Sequence, residues 1–332
     1  MGNTKKSKNA ILSNQLLTKN AVFHFIKENL GILIGLLILC LILTIFSPVF
    51  LTKKNILNVL RQVATNLYVA CAMTMVIILG GIDLSVGSTL ALSGVITGGL
   101  IAFSGYPLVI AVGAGLLAGL LVGAFNGILI ARTTIPPFIV TLSTMNIARG
   151  FSYIYTGGQP IRVMSDSFNF IGAGYIGEIP TPIIYLIIIV IISTLIMSKS
   201  KLGRHIYAVG GNPVAARFSG IKNAKVLFFA YVFSGLMAAI AGIVLASRMF
   251  SGQPTAGQGA EMDAIAAVVL GGTSMSGGAG KIGGTVIGAL IIGVLNNGLN
   301  LLGINSFWQY VVKGVVILIA VYVDFIKKDK NN

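Results

Sequence analysis

Charge is what this 332-residue chain has least of: 9% of its residues are Asp, Glu, Lys or Arg. A soluble globular domain has roughly 25%, because its surface must face water. Only eight residues are acidic, against 23 basic ones, and there are two histidines, two cysteines and one tryptophan. Two cysteines, Cys40 and Cys71, both inside apolar runs, exclude a disulfide framework and have no metal-ligand spacing. His24 and His205 leave little for general base chemistry, and neither G-x-S-x-G nor H-E-x-x-H occurs. GAGKIG (278–283) fits G-x-G-x-x-G but opens an apolar helix instead of following a soluble βα unit. It is no phosphate loop either, since Ile282 stands where Ser or Thr is needed and residue 275 is Met. The chain has no visible means of hydrolysing ATP and no cofactor motif.

What it has instead is apolar length. The hydrophobic fraction is 55% and the mean hydropathy +0.93. GILIGLLILCLILTIFSPV (31–49), PTPIIYLIIIVIISTLIMS (180–198) and VVKGVVILIAVYV (311–323) are runs of the kind that cross a bilayer, which takes about 20 mostly apolar residues. The first run is too long for a signal-peptide core and lacks a cleavage site, so it reads as a retained span. Ten spanning segments are expected: 31–49, 58–80, 85–104, 107–130, 136–156, 180–198, 224–248, 262–276, 284–302 and 308–326. The eighth is short and reads as a broken helix, which is tolerated where irregular backbone is buried in protein. The expected fold is therefore an all-α integral membrane protein of about ten helices (31–326), between a basic tail at 1–30 and a short tail at 327–332.

The basic residues set the orientation. Five lysines precede the first run, and Lys199, Lys201, Arg204, Arg217, Lys222 and Lys225 fall between the sixth and seventh segments. Lys327, Lys328 and Lys330 follow the last. An even number of spans puts all three groups on one side, expected to be the cytoplasm, with both termini there. Lys53 and Lys54 fall outside and break the pattern. Nucleic acid is not implied, because no soluble basic domain accompanies the charge.

Four features inside the apolar chain ask for a role. Gly115, Gly119, Gly123 and Gly127 repeat every four residues, on one helix face, as for close packing or for a helix beside a translocation path. Asp83 is the only acid between Glu28 and Asp166 and precedes an apolar run; it reads as a helix cap, with a pathway or proton-coupling role as alternatives. Arg149 needs a polar partner, a cavity or a helix end near water. Asn126, Asn296, Asn297 and Asn300 can line a path for a neutral solute or hold helices together. LGGIDLSVG (79–87) resembles LGGTSMSGG (270–278) at an offset of 191, and LVGAFNG (121–127) resembles IIGVLNN (291–297) at 170. This weak repeat pairs Asn126 with Asn296, and repeat interfaces in transporters build the central site. It leaves open whether the halves are parallel or inverted.

The loop over 199–223 is polar, basic and glycine-punctuated. In NPVAARF, Asn212 suits a helix cap, Pro213 the first helical position, and Gly220 can end the helix. Gly203, Gly210 and Gly211, ahead of it, suit tight turns.

GGIDLSVGSTLALSG, IPTPI, LGRHIYAVGGNPVAARFSGI and the long block from QPTAGQG to VVKGVVILIAVYVD together resemble the permease of bacterial ribose-type ATP-binding cassette importers. The likeness runs from about Pro48 to Asp324. It implies a fold similar to the ten-helix vitamin B12 importer type in the bacterial cytoplasmic membrane. It implies a second permease copy, commonly in a homodimer, a separate cytoplasmic ATPase chain and an extracytoplasmic sugar-binding protein. It makes 199–223 the segment that bears on the ATPase, with Gly203, Arg204, Gly210, Gly211, Asn212, Pro213, Ala215, Arg217 and Gly220 in it, and ribose the leading substrate. An ion-coupled secondary transporter is the alternative, and Asp83 is nearly its only candidate coupling group.

Overall fold

Helix follows helix along the chain in the computed structural model, which describes Ile26 and residues 29–329. The basic amino-terminal tail, 1–25 with 27 and 28, and the last three residues lie outside the described residues. The helices are α1 (Leu30–Phe46), α2 (Lys53–Ile78), α3 (Val86–Ala102), α4 (Leu108–Arg132), α5 (Pro137–Thr156), α6 (Asp166–Ala173), α7 (Thr181–Lys199), α8 (Lys201–Gly211), α9 (Pro213–Phe218), α10 (Asn223–Arg248), α11 (Ala260–Leu270), α12 (Ile282–Leu301) and α13 (Ser306–Asp329). Two-residue strands make two small antiparallel pairs, β1 (Ile161–Arg162) with β4 (Ser251–Gly252) and β2 (Tyr175–Ile176) with β3 (Ile179–Pro180). Among the described residues, α2, α4, α7, α10 and α12 are long and apolar enough to cross a membrane. The chain is an all-helical membrane protein.

Each segment expected from the sequence holds a helix, with instructive differences at the ends. Helix α2 starts at Lys53, five residues earlier than expected, because Thr52 caps it with its hydroxyl on the Asn55 amide. Helix α11 stops at Leu270, so it is only about 16 Å long at 1.5 Å per residue. That is half the hydrocarbon thickness, and residues 263–269 are buried in protein. The stretch 199–223, expected as a loop with one short helix, is two helices, α8 and α9.

Helices α2 and α10 form the centre. Helix α10 packs on α4, α3 and α2, and α12 packs on α11, α2 and α1. The face of α4 that bears Gly115, Gly119, Gly123 and Gly127 is a packing face. Its glycines let the backbone of α4 touch that of α10: a Cβ at Gly123 would lie 2.4 Å from the Tyr231 carbonyl oxygen and 3.0 Å from Val232 Cα. Gly123→Val is therefore expected to lower the thermal unfolding midpoint in detergent strongly, since overpacking costs about 1–3 kcal/mol. Gly113→Val, on the open side of α4 with nothing within 4 Å, is the control and should leave the midpoint near wild type.

The two glycine-rich strings that the sequence comparison aligned both follow a helix and both close it in the same way. Gly80 has φ +78° and Gly272 φ +80°. At the first turn, the Gly80 amide donates to the Ile77 carbonyl and the Gly81 amide to that of Val76. At the second, Gly272 donates to Val269 and Thr273 to Val268. Both are Schellman caps, in which the left-handed residue is glycine because a Cβ is strained there. The same cap ends α5 at Gly157, α9 at Gly220 and α12 at Gly303, so it is this protein's common way of stopping a helix and does not by itself establish a repeat.

Candidate functional site

The basic segment folds as a two-helix knuckle. Ser200 caps α8, accepting from the Gly203 amide at 3.0 Å. Asn212 caps α9, its Oδ1 accepting from the Val214 amide at 3.0 Å and the Ala215 amide at 2.9 Å, with Pro213 in the first turn. Gly220, at φ +84°, closes α9. Helix α8 buries Gly203, Ile206 and Val209 and leaves Arg204 exposed. Helix α9 presents Arg217 and two apolar side chains, Val214 and Phe218, four residues apart; Phe218 is 89% exposed.

The glycines of α8 do not make turns. Gly210 lies inside the helix, and a Cβ there would sit 1.8 Å from the Ile78 carbonyl oxygen. Its missing side chain seats α8 on the end of α2. A Cβ at Gly203 would meet the Ile196 and Met197 carbonyls of α7 at 2.4 Å, and Gly211 ends α8 in open space. The Gly278 amide donates to the Ile78 carbonyl at 2.8 Å, and Tyr207 Oη donates to the Gly280 carbonyl at 2.7 Å. The knuckle is thus joined to both glycine turns, the one before α3 and the one before α12.

Asp83 lies in the first of those turns, 1% exposed. Helix α3 begins only at Val86, so its N-cap is Ser85 and not Asp83. The carboxylate closes the turn leading in: Oδ1 accepts from the Ser85 amide at 3.0 Å and the Ser85 hydroxyl at 2.6 Å. Oδ2 accepts from Ser234 of α10 at 2.7 Å. Asn126, 0% exposed, donates to Ser85 Oγ at 2.9 Å and belongs to this knot. Three helices are tied by it.

A second polar feature lies at the other end of the bundle. A cavity of about 510 Å³ opens between α2, the end of α10, α11, α12 and the start of α13. Five carboxamides line it: Gln62, Asn66, Asn296, Asn300 and Gln309. Arg248 faces it, and Lys313 pairs with Asp263 at its wall at 3.0 Å. Gln62 and Asn66 stand 16 and 12 residues before the knuckle's contact at Ile78, roughly 18–24 Å at the helical rise. The structure therefore separates Asn126 and Asn296, which the repeat had paired. Asn297 points elsewhere again, exchanging two 2.9 Å hydrogen bonds with Asn55 of α2.

The sequence reading missed Gln62, Asn66, Arg248, Asp263, Gln309 and Lys313. For all but Arg248 and Asp263 the signal is spacing: Gln62 and Asn66, Asn296 and Asn300, and Gln309 and Lys313 are each four apart, on one helical face. Two charges expected to be awkward are satisfied. Arg149 donates from Nη1 to the Pro254 and Ala256 carbonyls, at 2.5 and 2.8 Å, and holds the segment before α11. Lys53 forms a 2.7 Å ion pair with Glu178, whose carboxyl is held below its ordinary range by that hydrogen bond and charge.

Residues 55–321 match the family described as branched-chain amino acid transport system / permease component. The chain belongs to this family. Its members are transport permeases, not enzymes. Among similar proteins, the ribose import permease RbsC of Bacillus subtilis is 50% identical over 94% of this chain and 98% of its own length. The RbsC proteins of Escherichia coli K12 and Haemophilus influenzae are 47% and 45% identical, over 88% of this chain and 92% and 91% of theirs. No solved structure matches the chain.

Proposed function

We propose that this permease is the membrane-spanning subunit of an ATP-driven sugar importer, with ribose as its substrate. One observation carries the reading: half of all positions are identical to a ribose import permease along nearly its whole length. The permease spans the bacterial cytoplasmic membrane ten times, in a fold of the vitamin B12 importer type, with both termini on the cytoplasmic side. The placement of Lys and Arg at the two ends and in 199–223 supports this orientation. Two copies assemble with a cytoplasmic ATPase and receive sugar from an extracytoplasmic binding protein. The α8–α9 knuckle is the ATPase docking element. Its polar surface, exposed Arg217 and paired Val214 and Phe218 suit insertion into a groove with an apolar floor and acidic rim.

The chain needs that partner, since it has no phosphate loop of its own. Reconstituted with the ATPase and the ribose-loaded binding protein, it is expected to accumulate ribose in ATP-dependent fashion. Alone and free of other chains, it should hydrolyse no ATP. Ribose uptake that follows a proton or sodium gradient without ATP overturns the proposal.

A further inference from the structure

The cavity at the end away from the knuckle differs in kind from the rest of the molecule's interior. Elsewhere the buried polar side chains tie helices directly to one another, as in the Asp83 knot and the Asn55–Asn297 pair; here five carboxamides converge on one open space. A carboxamide offers donors and an acceptor in one plane. A sugar hydroxyl is likewise both donor and acceptor, so amides can pair with hydroxyls in any orientation and without the desolvation of a fixed charge. The lining is not charge-free, as a neutral path would suggest. Asp263 and Lys313 neutralise each other, which leaves Arg248, whose planar fork of donors can span two adjacent hydroxyls. The volume, about 510 Å³, falls in the range of small-molecule sites.

Asn296 makes the case specific. It is 4% exposed, lines the cavity, and its Oδ1 has no partner among the described residues. That oxygen is closed to water as the side chain stands; a buried acceptor left unpaired is destabilising, and turning the Asn296 carboxamide toward the cavity brings it to a ligand hydroxyl that supplies the missing donor. Three of the other carboxamides are already engaged: Gln309 donates to Asn300 at 2.8 Å, and Asn66 reaches Asp263 at 3.4 Å. We infer that this cavity binds a neutral polyhydroxylated solute inside the permease and that Asn296 reads one of its hydroxyls. The inference rests on the function proposed above and adds a site to it.

The test uses the whole reconstituted complex in liposomes and reads ribose taken up per ATP hydrolysed. Asn296→Ala is expected to lower uptake at least tenfold at equal complex content. ATPase stimulation by the loaded binding protein should stay within twofold, because the knuckle is distant. Asn297→Ala, which breaks the pair with Asn55, should lower the amount of assembled complex but not uptake per complex. In a Cys40→Ala background with Cys71 retained in the core, a small water-soluble thiol reagent should label Asn296→Cys. Ribose should slow that labelling at least threefold, and an equal concentration of alanine should not. Uptake within twofold of wild type in Asn296→Ala, or labelling that ribose leaves unchanged, overturns the site alone. A wild-type complex that takes up no ribose overturns the function on which it rests.

Discussion

Phe218→Asp leaves the permease folded in the membrane and cuts its stimulation of the ATPase by the loaded binding protein at least tenfold. An apolar side chain 89% exposed on a six-residue helix contributes nothing to this chain's own core. Its removal should leave the unfolding midpoint unchanged. In the complex, the same side chain is expected to fill an apolar groove, where burying a Phe is worth about 1.5–3 kcal/mol. A carboxylate there loses that and must be desolvated. Ala215→Pro should act in parallel by a different route. Proline deletes the amide that donates to Asn212 Oδ1 and pushes Val214 out of the helical region, and so short a helix has no length to compensate. Arg217→Glu tests the rim, with a smaller loss that grows at low salt as screening weakens. Stimulation at wild-type levels in both Phe218→Asp and Ala215→Pro removes α9 as the docking element.

How much of this was legible beforehand depends on whether a feature is local. The α9 helix was: Asn212, Pro213 and Gly220 are a start, a first turn and a stop within nine residues, and backbone geometry follows from them. Span positions were legible because apolar length is a one-dimensional property. Gly210 was misread as a turn former because its reason for being glycine is the Ile78 carbonyl, 132 residues away in sequence. Asn126 and Asn296, equivalent in the string comparison, lie in different surroundings, one in the knot at Ser85 and the other at the far cavity. Glycine-rich helices resemble one another in composition, and the similarity of LVGAFNG to IIGVLNN says nothing of which end of a bundle each helix presents. The cavity was hidden because its lining comes from five helices, each giving one to three residues. Only the four-residue spacing of polar pairs was present in the string, and nothing in the string says that those three faces converge.

Asp83 separates a structural from a mechanistic reading most sharply. Its two oxygens accept three hydrogen bonds, from the Ser85 amide, the Ser85 hydroxyl and Ser234 of α10, and Ser85 in turn accepts from Asn126 of α4. Asp83→Leu strands those donors in a site only 1% exposed, at about 1–3 kcal/mol for each buried group left unpaired. The expected result is a large fall in the unfolding midpoint and little permease in the membrane. Asp83→Asn keeps an oxygen for the Ser85 amide, and the serine hydroxyls can rotate to accept from the new NH2 group. Its midpoint should stay close to wild type, with ribose uptake per molecule within about threefold. A carboxylate that carried a proton through the cycle would behave otherwise, since Asn cannot titrate and the variant would be as inactive as Leu while remaining folded. The decisive measurement is uptake at matched membrane abundance. A stable Asp83→Asn permease that moves no ribose would reassign Asp83 from a tie between three helices to a coupling group, and with it the energy source of the transporter.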